Sequence, residues 1–258
     1  NEGVAAMEIQ KLRKDIMDIS MKNMIYLFSE SYVLYLHALG GRELNDYRRL
    51  NAFSPYWSLN ARMPSTYVPL NATLGFKASP VNGLWFNVFG GYRISKDELF
   101  CNLVDADGYY FTHFLQDKAK TAYGGAELKY GYKDWFDASL KGTFYSWKTD
   151  NENEELYLVT KPKFELNFYA EAKVFEGLKV NLGYEYVQRK EYVIEEGNSS
   201  RDFGLGNISN LSVGASYTFL KDLSVFGRVN NLLNKQYYYE YGYPAEKLNV
   251  LAGLSLAF

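Results

Sequence analysis

The sequence predicts an all-β protein, an antiparallel transmembrane β-barrel of which about ten strands are present. Three features predict this fold: segments of about ten residues that alternate apolar and polar side chains, tight turns that alternate with long loops, and a high aromatic content. Aromatic residues make up 17% of the 258 residues, with 24 Tyr and 17 Phe. Because successive side chains of a strand point to opposite faces, such alternation predicts one apolar and one polar face.

Composition and charge exclude several classes of protein. The formal net charge is −2, so the chain lacks the basic balance of a nucleic-acid-binding protein. No run approaches eighteen apolar residues, which excludes a transmembrane helix, whereas strands that cross a membrane average to a polar hydropathy. The single cysteine, Cys101, excludes an intrachain disulfide and a cysteine-rich metal site, and is interpreted as a half-buried residue near a loop.

Residues 1–66 are expected to hold one or more N-terminal barrel strands and a long loop. The first residues, NEGVAAME, contain no initiator Met and no targeting segment, so we expect either a removed signal or a longer chain. Helical spacing and strand alternation compete near the start, and a strand over residues 14–22 is favoured. A further strand is expected at residues 31–38, followed by a polar loop.

Residues 67–258 are expected to form the barrel wall. Nine strands are predicted there, beginning near Val68, Leu84, Thr121, Trp135, Lys163, Leu178, Leu211, Leu223 and Leu248. Tight turns join them in pairs near Val81, Lys133, Glu176 and Lys221. The connections between the pairs are long, polar and aromatic, and the stretch after Lys96 is expected to be irregular. Short turns at one end and long loops at the other are typical of outer-membrane barrels.

The two faces of these strands differ in chemistry. One face carries almost only Leu, Val, Phe, Ala and Tyr, with tyrosines near strand ends, as expected for a lipid-facing surface with aromatic girdles. The other face carries charges of both signs beside glycines, which suits a crowded, hydrated lumen. The polar residues predicted to face the lumen are Asn71, Lys77, Arg93, Glu127, Lys129, Asp137, Lys141, Glu165, Glu171, Lys173, Lys179, Glu185 and Arg228.

The C-terminal residues resemble a known family. The sequence VNNLLNKQY at 229–237, the aromatic run that follows and a final strand ending in Phe258 look like the end of a TonB-dependent receptor. Residues 79–100 also resemble a hairpin of these barrels. The resemblance implies a 22-stranded barrel around a plug domain, of which this chain supplies about ten strands. We find no plug domain and no TonB-contacting box in the chain.

The resemblance implies a function and partners. We expect an outer-membrane receptor of a Gram-negative bacterium that takes up a scarce nutrient such as a metal chelate, vitamin or glycan. Its expected partners are outer-membrane lipid, the assembly machinery, which would read Phe258, and the TonB system, which would act through a plug outside this chain. The alternative is a small self-closed barrel that acts as a pore or surface-binding protein. Pairing of the terminal strand with the first seventy residues would indicate that alternative.

Other candidate sites are weaker. Asp105 to Gly108 echo the start of a calcium loop, but Gln116 stands where the twelfth ligand belongs, so an Asx-type turn is favoured. His37 and His113 have no Ser or Asp partner at a recognisable spacing, and we predict no enzyme and no cofactor. Aromatic clusters in the long loops are candidate ligand contacts at the outer mouth, namely Tyr109, Tyr110, Phe111, Tyr238 and Tyr239.

Overall fold

A computed structural model describes the chain over residues 23–27, 31–55, 57, 63–106, 109–152, 157–189, 193–196, 199–202, 205–220, 223–240 and 243–256. A helix, α1, spans Tyr47–Phe53. Over the described residues the strands are β1 Asn23–Leu27, β2 Tyr32–Glu43, β3 Thr66–Val81, β4 Leu84–Ala106, β5 Tyr109–Tyr132, β6 Phe136–Thr149, β7 Pro162–Phe175, β8 Leu178–Arg189, β9 Val193–Glu196, β10 Ser199–Asp202, β11 Ile208–Leu220, β12 Leu223–Asn230, β13 Tyr238–Glu240, β14 Tyr243–Pro244 and β15 Asn249–Leu256.

Eleven of the described strands form one antiparallel sheet. Its order is β1-β2-β3-β4-β5-β6-β7-β8-β11-β12-β15, and the hairpins β9-β10 and β13-β14 lie in long connections. Over the described residues, β1 pairs with β2 and β15 pairs with β12, and the two edge strands do not pair with each other. The predicted barrel wall of about ten strands is confirmed as an open sheet. The described pairings do not include the self-closure that the alternative requires.

The two ends of the sheet differ as predicted. Short turns follow β3, β5, β7 and β11 at one end, which we call the short-turn end. At the opposite, long-loop end, the connections that follow β2, β6, β8 and β12 are long. Gly83 and Gly177 adopt positive φ values of 83° and 85° in two of the short turns, a conformation that glycine adopts without steric cost.

The expected irregular stretch after Lys96 is wrong. The strand β4 continues to Ala106 and pairs with β5, which begins at Tyr109, so this hairpin extends far beyond its neighbours at the long-loop end. Cys101 is therefore a strand residue, and it is buried rather than half-buried. The reason is that other loops cover both faces of the extension. Of the predicted Asx turn, residues 107 and 108 lie outside the described residues.

Three further expectations have different outcomes. The strand predicted at residues 31–38 is confirmed as β2, but β2 continues to Glu43, and α1 interrupts the loop predicted after it. Asp46 caps α1 by accepting a hydrogen bond from the Arg49 N–H at 2.9 Å, which satisfies a free helix N-terminal donor. The polar stretch after β8 contains the hairpin β9-β10. The predicted strand at residues 14–22 and Phe258 lie outside the described residues.

Apolar side chains are exposed on one face of the sheet, which we call the apolar face. Leu74, Val88 and Leu128 are exposed there on neighbouring strands, with Leu74 opposite Gly90 and Val88 opposite Ala126. A contiguous apolar surface of this kind indicates contact with lipid or with another apolar surface. Among the described residues, no helix is both long and apolar enough to span a membrane.

Aromatic rings cluster near the short turns. Tyr132 packs edge-on against Trp135 with ring centroids 5.8 Å apart, and Phe175 packs edge-on against Tyr217 at 6.0 Å. Amphipathic aromatic rings favour the boundary between hydrocarbon and water. These contacts correspond to the aromatic girdle that the sequence predicts.

Candidate functional site

The opposite face, which we call the polar face, carries a continuous row of polar side chains across seven strands. Each member lies directly opposite the next in the antiparallel register, so neighbouring Cβ atoms are about 5 Å apart. Glu127 and Lys141, for example, form an opposite-charge pair across β5 and β6. In sheet order this central polar row is Lys77, Asn87, Glu127, Lys141, Asn167, Glu185 and Asn210.

The register places all the residues predicted to face the lumen on this polar face. Some of them contact each other: Lys179 lies 3.6 Å from Glu171, and Lys129 lies 3.0 Å from Glu127. Others bond elsewhere, as Glu165 accepts a hydrogen bond from Tyr145 at 2.9 Å. The remaining predicted residues on this face are Asn71, Lys77, Arg93, Asp137, Lys141, Lys173, Glu185 and Arg228. That this face lines a lumen stays a prediction.

Glycines on the polar face make room for tyrosine rings from the neighbouring strand. A Cβ atom added to Gly75 would lie 2.3 Å from the Tyr35 ring, and one added to Gly91 would lie 2.3 Å from the Tyr123 ring. Because each ring lies across the glycine, its hydroxyl reaches a residue on the next strand beyond. The Tyr123 hydroxyl donates to Asn71 Oδ1 at 3.0 Å. The glycines that suggest a crowded lumen therefore serve close packing on this face.

We expect Gly91→Ala to lower the free energy of unfolding by about 1–3 kcal/mol, because the added methyl group collides with the Tyr123 ring. Gly90→Ala is the matched control, since Gly90 lies on the apolar face and a Cβ there would be 3.7 Å from its nearest neighbour. Urea unfolding in detergent, followed by tryptophan fluorescence, measures both. Equal stability of the two variants would contradict the tyrosine packing.

A small cap covers the β4-β5 extension at the long-loop end. On one side, Leu50 of α1 packs with Leu99, Cys101 and Phe114, joined by Trp57. On the other side, Leu158 from the β6-β7 connection packs with Phe100 and Ala119. The extension is thus held between two loops that are distant in sequence.

Five charged side chains from four elements meet beneath this cap, and we call them the charged cluster: Glu43, Arg49, Arg93, Glu98 and Lys161. The Arg93 guanidinium donates to both carboxylate oxygens of Glu43 at 2.9 and 3.2 Å, and to Glu98 Oε2 at 3.0 Å. Glu98 is buried, with 6% of its side chain exposed. Removing one member of a buried ion pair leaves an uncompensated charge. A loop that moved away from the sheet would separate these pairs, so the cluster fixes the loops relative to the sheet.

Lys161 connects the β6-β7 connection to this cluster. Its ammonium lies 3.6 Å from Glu98 Oε1 and donates to the Leu99 carbonyl at 3.1 Å. It also lies 4.9 Å from the Phe100 ring centroid and 4.8 Å from that of Trp147, within the range of cation–π attraction. Burial lowers the pKa of Lys161, and the charge of Glu98 acts in the opposite direction.

The residues NNLLNK form a network of hydrogen bonds at the long-loop end, and we call this hydrogen-bond network the knot. Asn231 is buried and has a φ of 48°, which Asn tolerates better than most residues. Its Nδ2 donates to the carbonyls of Lys235 at 2.7 Å and Glu246 at 3.0 Å, while its Oδ1 accepts from the Lys235 N–H. Asn234 Oδ1 accepts from the Leu248 N–H at 3.2 Å. The two asparagines therefore fasten both ends of the β12-β15 connection.

We expect Asn231→Ala to destabilise the protein by about 3 kcal/mol, because it leaves buried carbonyls unpaired and places a Cβ-bearing, non-Asn residue in the left-handed region. Asn231→Gly loses the same hydrogen bonds without the backbone strain, so it should cost about 1 kcal/mol less. Asn249→Ala serves as control, because Asn249 is only half-buried and its amide donates to the Glu246 side chain rather than to a buried carbonyl. Urea unfolding distinguishes them, and wild-type stability in both Asn231 variants would disprove the role of the knot.

Only part of the predicted aromatic ligand contacts can be placed. Tyr239 is half-exposed, and its hydroxyl donates to Glu185 Oε2 at 3.0 Å. Burial together with the Glu185 charge raises the pKa of Tyr239. Arg189 Nη1 donates to the Tyr238 carbonyl at 2.6 Å. The hairpin β13-β14 thus contacts β8 at two places, at Glu185 of the central polar row and at Arg189 at the end of the strand.

The other predicted contacts, Tyr109, Tyr110 and Phe111, lie in β5 and pair with Ala106, Asp105 and Val104 of β4. Their side chains lie outside the described part of the structure. His37 and His113 lie in β2 and β5. Among the described residues, no group of three or more His, Cys, Asp or Glu side chains could hold a metal ion.

Comparison with known proteins shows the fold. No protein-family model and no curated protein sequence matches the chain. Several solved structures do match. The pyoverdine outer membrane receptor FpvA from Pseudomonas aeruginosa PAO1 matches with a TM-score of 0.64 and 15% identity, over 90% of this chain and 34% of that one. The ferric-catecholate import receptor Fiu from K12 E. coli matches with a TM-score of 0.61 and 15% identity over 90% and 34%.

The siderophore receptor PirA from Acinetobacter baumannii matches with a TM-score of 0.63 and 14% identity, over 93% of this chain and 40% of that one. This chain has the barrel fold of TonB-dependent outer-membrane receptors. The resemblance seen at residues 229–237 is thus confirmed at the level of fold. The chain spans about a third to two fifths of the length of these three receptors.

Sequence reasoning missed the cap and the charged cluster of this receptor fold. The sequence does contain a signal for the start of α1, because Asp46 precedes it and Asp is a preferred residue at helix N-termini. The pairing of Arg93 with Glu43 carries no such signal, since fifty residues separate the two partners.

Proposed function

We propose that this chain forms part of the wall of an outer-membrane receptor that imports a scarce nutrient through the TonB system of a Gram-negative bacterium. The observation that carries the proposal is the open antiparallel sheet, apolar on one face and polar on the other, in the fold of TonB-dependent receptors. The apolar face suits outer-membrane lipid, and the polar face suits a hydrated interior.

The proposed ligand is a metal chelate. FpvA, Fiu and PirA are described as receptors for pyoverdine, ferric catecholates and siderophores, and this is the support for a chelate over a vitamin or glycan. The loops at the long-loop end would receive the ligand from outside. Tyr239, half-exposed beside Glu185, is the contact that the described residues support best, with Tyr238 next to it.

The polar face would then guide the ligand inward. Its central polar row offers carboxylates, ammonium groups and amides at directly opposed register positions of seven strands, which can exchange hydrogen bonds with a polar ligand or with an enclosed plug. The TonB system would act through a plug supplied outside this chain. Phe258 would serve as the signal for the assembly machinery.

The membrane orientation predicts a specific pair of mutants. Leu140 lies on the apolar face between Leu128 and Phe168, four residues from the start of β6. We expect Leu140→Lys to cost about 2–4 kcal/mol in membrane stability, because it places an ammonium near the middle of the bilayer. Ser139→Glu, which places a charge on the polar face directly opposite Lys129, should be tolerated. Heat-modifiable migration of outer-membrane fractions on gels measures correctly folded barrel. Equal loss in both variants would contradict the lipid-facing assignment.

Uptake tests the function itself. A strain in which the whole gene is deleted should lose accumulation of ⁵⁵Fe supplied as a panel of ferric siderophores under iron limitation, and the intact gene should restore it. A protonophore should abolish the restored uptake, because transport is energised through the TonB system. Labelled cobalamin and glycan oligomers test the other nutrient classes. Normal uptake of all three classes in the deletion strain would disprove the proposal.

A further inference from the structure

The ladder between β6 and β7 ends before either strand does. Its last described pair is Phe144 with Phe164, although β6 continues to Thr149 and β7 begins at Pro162. Pro162 has no N–H to donate to β6, and a register shift between Pro162 and Phe164 marks a bulge against β8. The Trp147 indole N–H instead donates to the Pro162 carbonyl at 3.1 Å. The two strands therefore separate over a short stretch that is bounded at both ends.

A cleft of about 360 Å³ occupies this separation, and we call it the wall cleft. Tyr145 and Trp147 line it from polar-face positions of β6, whereas Phe144 and Ser146 line it from apolar-face positions. Consecutive residues of one strand point to opposite faces, so a cleft that all four of them line connects the two faces of the sheet. Its volume is in the range of small-molecule sites.

The wall cleft opens at the level of the outer hydrocarbon. Phe136, in the aromatic cluster near the short turns, lies ten positions before Ser146 on the same face. At about 3.4 Å per residue this is about 34 Å of strand, or about 24 Å along the membrane normal for a strand tilted by about 45°. The hydrocarbon core is about 30 Å thick, so the opening lies below the outer headgroups. Unpaired backbone is tolerated at this depth only where it lines a cavity or is covered.

The two mouths of the wall cleft differ in chemistry. On the apolar face Phe144 is exposed and packs on Phe164 with ring centroids 4.3 Å apart, which offers a surface to a hydrocarbon chain. On the polar side Lys163 is exposed, and among the described residues no carboxylate lies within salt-bridge distance of it. Glu165, further along β7, accepts the hydrogen bond from the Tyr145 hydroxyl at 2.9 Å.

The charged cluster adds positive charge beside the polar mouth. It contains three cationic side chains and two carboxylates, and its member Lys161 also lines the wall cleft. The excess positive charge attracts an anion to this mouth. A site that is cationic at one mouth and hydrocarbon-like at the other has the polarity of an amphiphile.

We infer that the wall cleft binds a single-chain amphiphile with an anionic head group, namely a ferric chelate that carries one fatty acyl chain. The head group lies on the polar side beside Lys163 and the charged cluster, and the chain passes between β6 and β7 over Phe144. The inference rests on the proposed import of a metal chelate and adds a chemical class to that ligand, because a chelate without an acyl chain would leave the opening between the strands unfilled.

Photoreactive dodecanoates test the site in the purified full-length protein, held in nanodiscs of zwitterionic phospholipid. A diazirine next to the carboxylate should label Trp147 or Lys163, and one near the chain end should label Phe144 or Phe164, as read by mass spectrometry of peptides. We expect Ser146→Trp to lower both labels about tenfold, because the indole fills the cleft. Ala122→Trp is the matched control, since Ala122 lies directly opposite Ser146 on the closed β5 side. Equal labelling of these two variants would overturn the site.

Charge and chain number are tested by substitution and competition. Lys163→Glu should weaken labelling about tenfold, because one attractive charge becomes repulsive, whereas Lys133→Glu in a short turn should label like the wild type. Excess decanoate should compete, and decyltrimethylammonium should not. Equal competition by these two would overturn the anionic head group. Equal competition by decanoate and diacyl phosphatidylglycerol would overturn the single chain.

Two further measurements keep the outcomes separate. Heat-modifiable migration on gels should show every variant folded, and competition on the wild-type protein decides the site even for a variant that misfolds. Labelling is then compared with ⁵⁵Fe uptake in the deletion strain. Restored uptake of ferric siderophores without labelling of the wall cleft would overturn this inference and leave the proposed function intact. Labelling without any uptake defect in the deletion strain would overturn the proposed function and leave an amphiphile site.

Discussion

The structure depends on the two-residue period of an antiparallel ladder. A slip of one residue would move every side chain of a strand to the other face. Its apolar side chains would then lie on the polar face and its polar side chains on the apolar face. Some register shifts lie at strand ends, as at Pro162/Phe164 in β7, whereas the shift at Ser95/Glu98 lies in the middle of β4, where the extension of the β4-β5 hairpin begins. Between the shifts the register is unbroken, so each unbroken stretch keeps one apolar and one polar face.

Packing on the polar face adds a second constraint. A polar face that carried charged side chains alone would leave gaps beside the glycines, and tyrosine rings fill those gaps while their hydroxyls bond other strands. Tyr35 reaches over Gly75 to donate to Asn87 Oδ1 at 3.1 Å. Rings over glycines therefore tie together strands that are not adjacent in the sheet, which stiffens the wall in the direction perpendicular to the strands.

The long-loop end is organised by contacts of a different kind. The knot around Asn231 is local, because all its hydrogen-bond partners lie within the β12-β15 connection or on the adjacent β11. The charged cluster around Arg93 is long-range and joins β2, α1, β4 and the β6-β7 connection. Both arrangements bury polar groups only with partners, as folded proteins require. They hold the connections of the long-loop end against the sheet.

The sequence by itself determined the strands, their faces and the short turns, because the period of two and the turn residues are local signals that survive without any knowledge of neighbours. The motif at residues 229–237 also pointed to the receptor fold, because it resembles the end of such a receptor. Only the tertiary structure decided that the stretch after Lys96 is a long hairpin, that α1 and Leu158 cover it, and that Glu43 meets Arg93. Those outcomes depend on contacts between segments tens of residues apart, and a buried salt bridge leaves no periodic trace in the chain that forms it.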